Sequence, residues 1–121
     1  MINELAKEIH KNAVDKGFYE GEKNIGEMLC LIHSEVSEAL EADREGNHVP
    51  SVFCDSINNL EDFMFKQYFE SEVKNTFEDE LADIVIRVLD LAGFKQIDLE
   101  SHIKAKMRYN SMREHKHGKK Y

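Results

Sequence analysis

Two pairs of acids stand three residues apart in this chain, Glu35 with Glu38 and Glu80 with Asp83. Residues at i and i+3 share a helix face, so on helices each pair would project two carboxylates together. Leu31 lies one turn before Glu35 and Ala39 one turn after it, which puts Glu35 in the stripe that should face a helix interface. The second pair borders Phe77, Ile84 and Leu91. An ionised carboxylate at such an interface costs several kcal/mol of solvation unless something positive compensates it. Two facing pairs would raise one another's pKa values until some stayed protonated. A divalent cation removes the difficulty, and oxygen donors without His or Cys favour Mg²⁺, with Mn²⁺ as a second candidate. Glu35, Glu38, Glu80 and Asp83 are therefore candidate metal ligands. One ExxE alone usually marks a solvated face paired with Lys or Arg, because the chain holds 24 acids in 121 residues. The weight comes from two such pairs beside apolar stripes on consecutive long helices. Neither pair has the His at i+3 of di-iron bundles, and His33 falls on a different face from Glu35.

The elements that must position these acids can be read from caps and periodicity. A first helix is expected from about Asn3 to Lys16, stopped by Gly17, and the aromatics after the stop, Phe18 and Tyr19, are expected to plug the core rather than close over a base. Asn24 with Glu27 three residues on predicts a second helix from Ile25 to about Glu45, before Gly46. A third is expected from Asp55 to about Phe69, with Ile57, Leu60, Phe63, Met64 and Tyr68 inward. Thr76 with Asp79 caps a fourth, whose stripe of Leu81, Ile84, Val85, Val88 and Ala92 runs to Gly93. Asp98 caps a fifth through Leu99, Ile103 and Met107 to Arg113. The fold expected is all-α, an antiparallel bundle of four to five helices. The length fits one domain over residues 1–121, with an insertion at about 45–75 docked outside the bundle.

Composition narrows the classes of function. No stretch reaches the eighteen or so apolar residues of a membrane span, and the N-terminus lacks the basic start and apolar run of a signal peptide, so a cytoplasmic protein is expected. Cys30 and Cys54 sit in no metal-binding spacing and are expected to be buried thiols. The net charge of −8 hides an asymmetry: residues 1–100 carry 9 Lys/Arg against 23 Asp/Glu, and residues 101–121 carry 7 against 1. So acidic a body disfavours a nucleic-acid partner. The basic end is either a solvated tail or the counter-charge that a polyphosphate beside bound metal would need.

The runs Leu31-Ile32-His33-Ser34-Glu35-Val36-Ser37-Glu38-Ala39 and Asp79-Glu80-Leu81-Ala82-Asp83-Ile84-Val85-Ile86-Arg87 resemble the ExxE and ExxD motifs of the MazG-type all-α nucleoside triphosphate pyrophosphohydrolases. The C-terminal stretch from Lys106 to Lys120 and the N-terminal one from His10 to Phe18 are similar to one branch of that family. The resemblance implies a Mg²⁺-dependent hydrolysis of an NTP or dNTP to the monophosphate and pyrophosphate, with Glu35, Glu38, Glu80 and Asp83 as metal ligands. It also implies a homodimer or a pair of dimers, and a house-cleaning role on non-standard or excess nucleotides. Lys106, Arg113 and Lys119 would then balance phosphate charge, Asn110 would bond sugar or phosphate, and Tyr109 would stack or offer its hydroxyl. Where relatives often carry a further acid, this chain has Ser34, which leaves Glu38 or Glu35 to receive the proton. The 41 residues between Glu38 and Glu80 make a long gap for the family. A non-catalytic helical dimer that binds nucleotide or metal is the alternative, and an interaction module working through the basic tail is a third.

Overall fold

Each helix begins and ends where local chemistry satisfies its loose backbone groups. In the computed structural model, which describes residues 1–120, Asn24 is extended and its side chain accepts the Glu27 N–H at 3.1 Å, starting α2 (Ile25–Arg44). Gly46, at φ +69°, closes α2 with a left-handed turn in which Asn47 N–H reaches Ala42 O and Gly46 N–H reaches Asp43 O. α1 (Ile2–Asp15) ends in the same way at Gly17. Thr76 Oγ1 accepts from Asp79 N–H, and the Asp79 carboxylate accepts from Asn75 N–H, capping α4 (Phe77–Phe94). Asp98 accepts from Ser101 N–H and starts α5 (Leu99–Ser111), which stops two residues short of Arg113. With α3 (Asp62–Tyr68) there are five α-helices and no strand among the described residues, which is the expected all-α class.

The chain divides into two compact units, residues 1–21 with those from 89 onward, and Glu22–Val88. In the first unit, α1 and the end of α4 approach so closely that a Cβ on Gly93 would lie 2.8 Å from Ala6 O and 2.7 Å from the His10 Cβ. Gly93 therefore does not end α4, as expected from sequence, but lets two backbones meet; the helix stops beyond it, with Gln96 at φ +54°. Asp90 accepts the Tyr19 hydroxyl at 2.8 Å and pairs with His10 Nδ1 at 3.0 Å, while the His10, Tyr19 and Phe94 rings pack together. Of the two aromatics expected as plugs Tyr19 fills that place, whereas Phe18 is 66% exposed. The starts of α1 and α5 are tied side by side: Asn3 bonds Asp98 and Glu100 N–H, and Glu100 accepts Ile2 N–H.

In the second unit α2 and α4 run antiparallel, since residues 47–49, just past the end of α2, meet 75–78 and Glu35 meets Arg87. The buried contacts on α2 are small, Ala39 and Ala42. Between the helices the chain makes an excursion that returns to its origin. Phe77 N–H reaches Asn47 O at 2.9 Å, the Asn47 amide reaches Asn75 O, and Glu78 accepts from Val49 N–H while pairing with His48.

The single helix expected over residues 55–69 is instead a 3₁₀ turn at Asp55–Asn59, two extended residues, α3, and a π turn at Phe69–Val73. Leu60 and Glu61, with ψ near 150°, restart the helical register, so spacing counted from Ile57 does not carry across. Of the five residues expected inward only Ile57 is buried, and Phe63 and Met64 face outward. Cys30 and Cys54, expected buried, are exposed and free.

Gly93→Ala tests the close approach. Alanine gains up to about 1 kcal/mol of helix propensity, but the added methyl meets α1 backbone, and overpacking of this kind costs about 1–3 kcal/mol. The thermal midpoint should fall by several degrees; a variant as stable as the unaltered chain would show that the helices are further apart.

Candidate metal centre

Antiparallel packing of α2 against the start of α4 brings acids from both motifs to one place. Glu35 and Glu80 are 7% and 5% exposed, more buried than almost any other side chain in the unit, and Glu38 lies one turn along α2 at the exposed edge. Carboxylate oxygens of Glu35, Glu38 and Glu80 lie within 4.8 Å of one another. A second group shares Glu80 and joins it to Asp79 and Asp83 within the same limit. The four acids expected as ligands thus meet in two clusters hinged on Glu80.

Sequence reasoning missed two members of this arrangement. Asp79 was read only as a capping residue, yet it stands four residues before Asp83 on the same face and still spends one oxygen on Asn75 N–H. Arg87 received no role, although its place four residues after Asp83 and seven after Glu80 was the available signal. Its Nε donates to Glu35 Oε1 at 2.7 Å.

The electrostatics follow from burial and crowding. Burial pushes the Glu80 carboxyl up, helped by its contact with Glu35 and by the charges of Glu38, Glu35 and Asp83, to about 7. Burial likewise raises Asp83, with Asp79 adding repulsion, and the contact with Glu35 raises Glu38. Burial opposes ionisation of Glu35 too, but the hydrogen bond from Arg87 and those shared with Glu38 and Glu80 outweigh it and hold Glu35 below the usual range. Among the described residues the buried Glu80 Oε2 has no hydrogen-bond partner. An orphaned carboxylate oxygen is costly, and here it sits among further oxygens with a single guanidinium to offset them. A divalent cation fits this donor set, which is hard, anionic and free of nitrogen or sulfur.

The C-terminal candidates gather among themselves. Lys106 Nζ lies 5.4 Å from the Tyr109 ring centre and the Arg113 guanidinium carbon 5.6 Å, so Tyr109 is flanked by two cations. Tyr109 is exposed, Asn110 half-buried, and Lys119 exposed beyond a 3₁₀ turn at His115–Gly118. These residues belong to the first unit and the acid clusters to the second. Ser34 Oγ donates to Leu31 O at 2.7 Å, engaging its own helix.

The raised Glu80 pKa has a definite sign in a pH series. A carboxyl that holds its proton more tightly folded than unfolded favours the folded state at low pH, and that contribution is lost as pH rises through about 7. The depressed Glu35 pKa acts oppositely and in a lower window: its contribution is present above the unfolded value and disappears as pH falls through the folded one. In chelator, then, thermal stability should decline from mildly acidic to mildly alkaline pH, Mg²⁺ should restore it on the alkaline side, and Glu80→Gln should flatten the decline. A melting curve with the same pH dependence in Glu80→Gln would disprove the crowding.

The chain matches no family model and no curated protein, and no solved structure matches it.

Proposed function

We propose that this chain is a MazG-type, Mg²⁺-dependent nucleoside triphosphate pyrophosphohydrolase that converts an NTP or dNTP and water to the monophosphate and pyrophosphate. The observation that carries the reading is the buried Glu80 carboxylate, with one oxygen orphaned, between Glu35 and Glu38 on one side and Asp83 on the other. Such an arrangement is destabilising for an empty protein and well suited to cations that bring a polyphosphate with them.

Glu35, Glu38, Glu80 and Asp83 would hold Mg²⁺. When bound, the ion neutralises phosphate charge and makes a water a stronger nucleophile at neutral pH. The remaining work falls to side chains. Glu38 is the exposed member of the buried trio and its proton affinity is raised by Glu35, which suits it to take a proton from water attacking the α-phosphorus. Ser34, committed to Leu31 O, does not compete for that role. Lys106, Arg113 and Lys119 would offset β- and γ-phosphate charge, with Asn110 bonding sugar or phosphate and Tyr109 stacking on the base or offering its hydroxyl. The four acids handle phosphate only; the base and sugar are chosen elsewhere, and the role proposed is house-cleaning of non-standard or excess nucleotides in the cytoplasm. No helix is long and apolar enough to cross a membrane among the described residues, and nucleic acid remains a poor partner for so acidic a body.

A homodimer, or a pair of dimers, is part of the proposal. Leu29, Leu31, Val36 and Leu40 on α2 and Leu81, Val85 and Ile86 on α4 are 40–53% exposed, more apolar helix surface than a small monomer ordinarily leaves in water. The alternative of a non-catalytic, metal- or nucleotide-binding regulator is favoured by one observation, the serine at position 34 in place of an additional acid.

A panel of standard and modified NTPs and dNTPs with Mg²⁺, products separated by anion exchange, decides between these. Monophosphate and pyrophosphate are expected; diphosphate and orthophosphate would refute attack at the α-phosphorus, and a Mg²⁺-dependent thermal shift without turnover on any nucleotide would favour the regulator. Asp83→Asn and Glu38→Gln should each lower turnover by roughly 100-fold or more, the scale of losing one group from a preorganised electrostatic site. Light scattering on the eluting protein should give a multiple of 14.1 kDa, and a monomer would remove the dimer.

A further inference from the structure

Among the described residues Arg87 bonds one partner, Glu35, and by Nε alone. A guanidinium has five N–H donors arranged as a fork, so this contact leaves most of its capacity unused. The two partners also differ in surroundings: the Glu35 side chain is 9% exposed and that of Arg87 40%. The carboxylate is fixed in the interior, while the cation reaches it from the solvent edge along a flexible stem. Arg87 follows Asp83 by four residues and Glu80 by seven, so it rises from the face of α4 that carries those acids.

We propose that Arg87 is a stand-in cation: it neutralises Glu35 while the centre holds no divalent ion, and on ion binding it gives up Glu35 and turns its donors to the anionic polyphosphate. The inference rests on the metal-dependent reading above and deepens it by naming a residue that changes partner. Like charges cannot share one carboxylate cheaply in a half-buried site, so a divalent ion at Glu35, Glu38 and Glu80 weakens the bond from Arg87. Removing the ion would otherwise strand Glu35 as a buried, unpaired charge, and the Arg87 contact prevents that. The polyphosphate then supplies the negative charge that the displaced guanidinium needs, within the reach of its own side chain.

A structural ion pair and an exchanging one give opposite signs in binding. Calorimetric titration of the full chain with Mn²⁺ alone should show tighter binding to Arg87→Gln than to the unaltered protein, because the competing cation is gone. Inorganic tripolyphosphate added at saturating Mg²⁺ should bind the variant more weakly by roughly tenfold or more, the scale of a hydrogen bond to a charged group. Arg87→Lys, which keeps the charge without the fork, should fall between the two. If the unaltered chain binds Mn²⁺ and Arg87→Gln binds it equally or less well, the exchange is refuted and the metal reading stands. If the unaltered chain binds no Mn²⁺, the metal reading fails and the exchange with it. A readout free of substitution covers a variant that does not fold: the Arg87 Nε–H NMR signal should move on saturation with Mg²⁺ and again with tripolyphosphate, and a signal unmoved by Mg²⁺ overturns the proposal.

Discussion

Crowded negative charge inside a helix contact is the constraint on which this structure turns. Glu35 and Glu80 are buried in the contact between α2 and α4, Glu38 and Asp83 adjoin them, and among the described residues Arg87 is the cation that pairs with the group. An interface chosen for stability would place leucine at those two positions, since replacing buried ions with apolar groups of similar volume is often neutral or favourable. What stabilises the unit must therefore come from elsewhere: the buried alanines of α2, the capping of both helices, and the bonds that fasten Asn47 and Val49 to the first turn of α4.

The same constraint explains why the centre is asymmetric. Glu80 is buried, pairs with no cation among the described residues and holds its proton to about 7, whereas Glu35, similarly buried, is kept ionised by Arg87. Two carboxylates of the same chemistry are thereby set to different protonation states by one guanidinium. For the cation proposed above, a carboxyl that still holds its proton and one that is already charged would be complementary donors near neutral pH.

Much of this was legible in the residues themselves. Asn24 with Glu27, Thr76 with Asp79 and Asp98 marked three helix starts because capping is a local interaction between side chain and nearby backbone. The place of Glu35 one turn before Ala39 announced burial because a helix of fixed pitch turns spacing into facing, although Leu31, one turn earlier, is exposed. Two kinds of feature escaped. Spacing could not reveal the break at Leu60 and Glu61, since two extended residues reset the register without any proline or glycine to mark them. Nor could it separate a glycine that stops a helix from one that lets another helix approach, so Gly93 was misread: its role depends on Ala6 and His10, more than eighty residues away. Arg87 was hidden for a related reason, as an arginine on a helix face says nothing until its partner across the contact is known.

The excursion between Asn47 and Asn75 leaves the α2–α4 hairpin and comes back to the same spot, where main-chain and side-chain bonds clip its two ends together. Because the ends are held by their own bonds, a change in the length of the chain between them need not shift the register of the carboxylates, while Ile57 and Val73 within it are held by burial. Lengthening a loop whose ends are already closed costs little, growing only with the logarithm of its size. The segment is thus a graft point, a place where descendants of one scaffold could acquire new surface without re-engineering the chemistry beneath it.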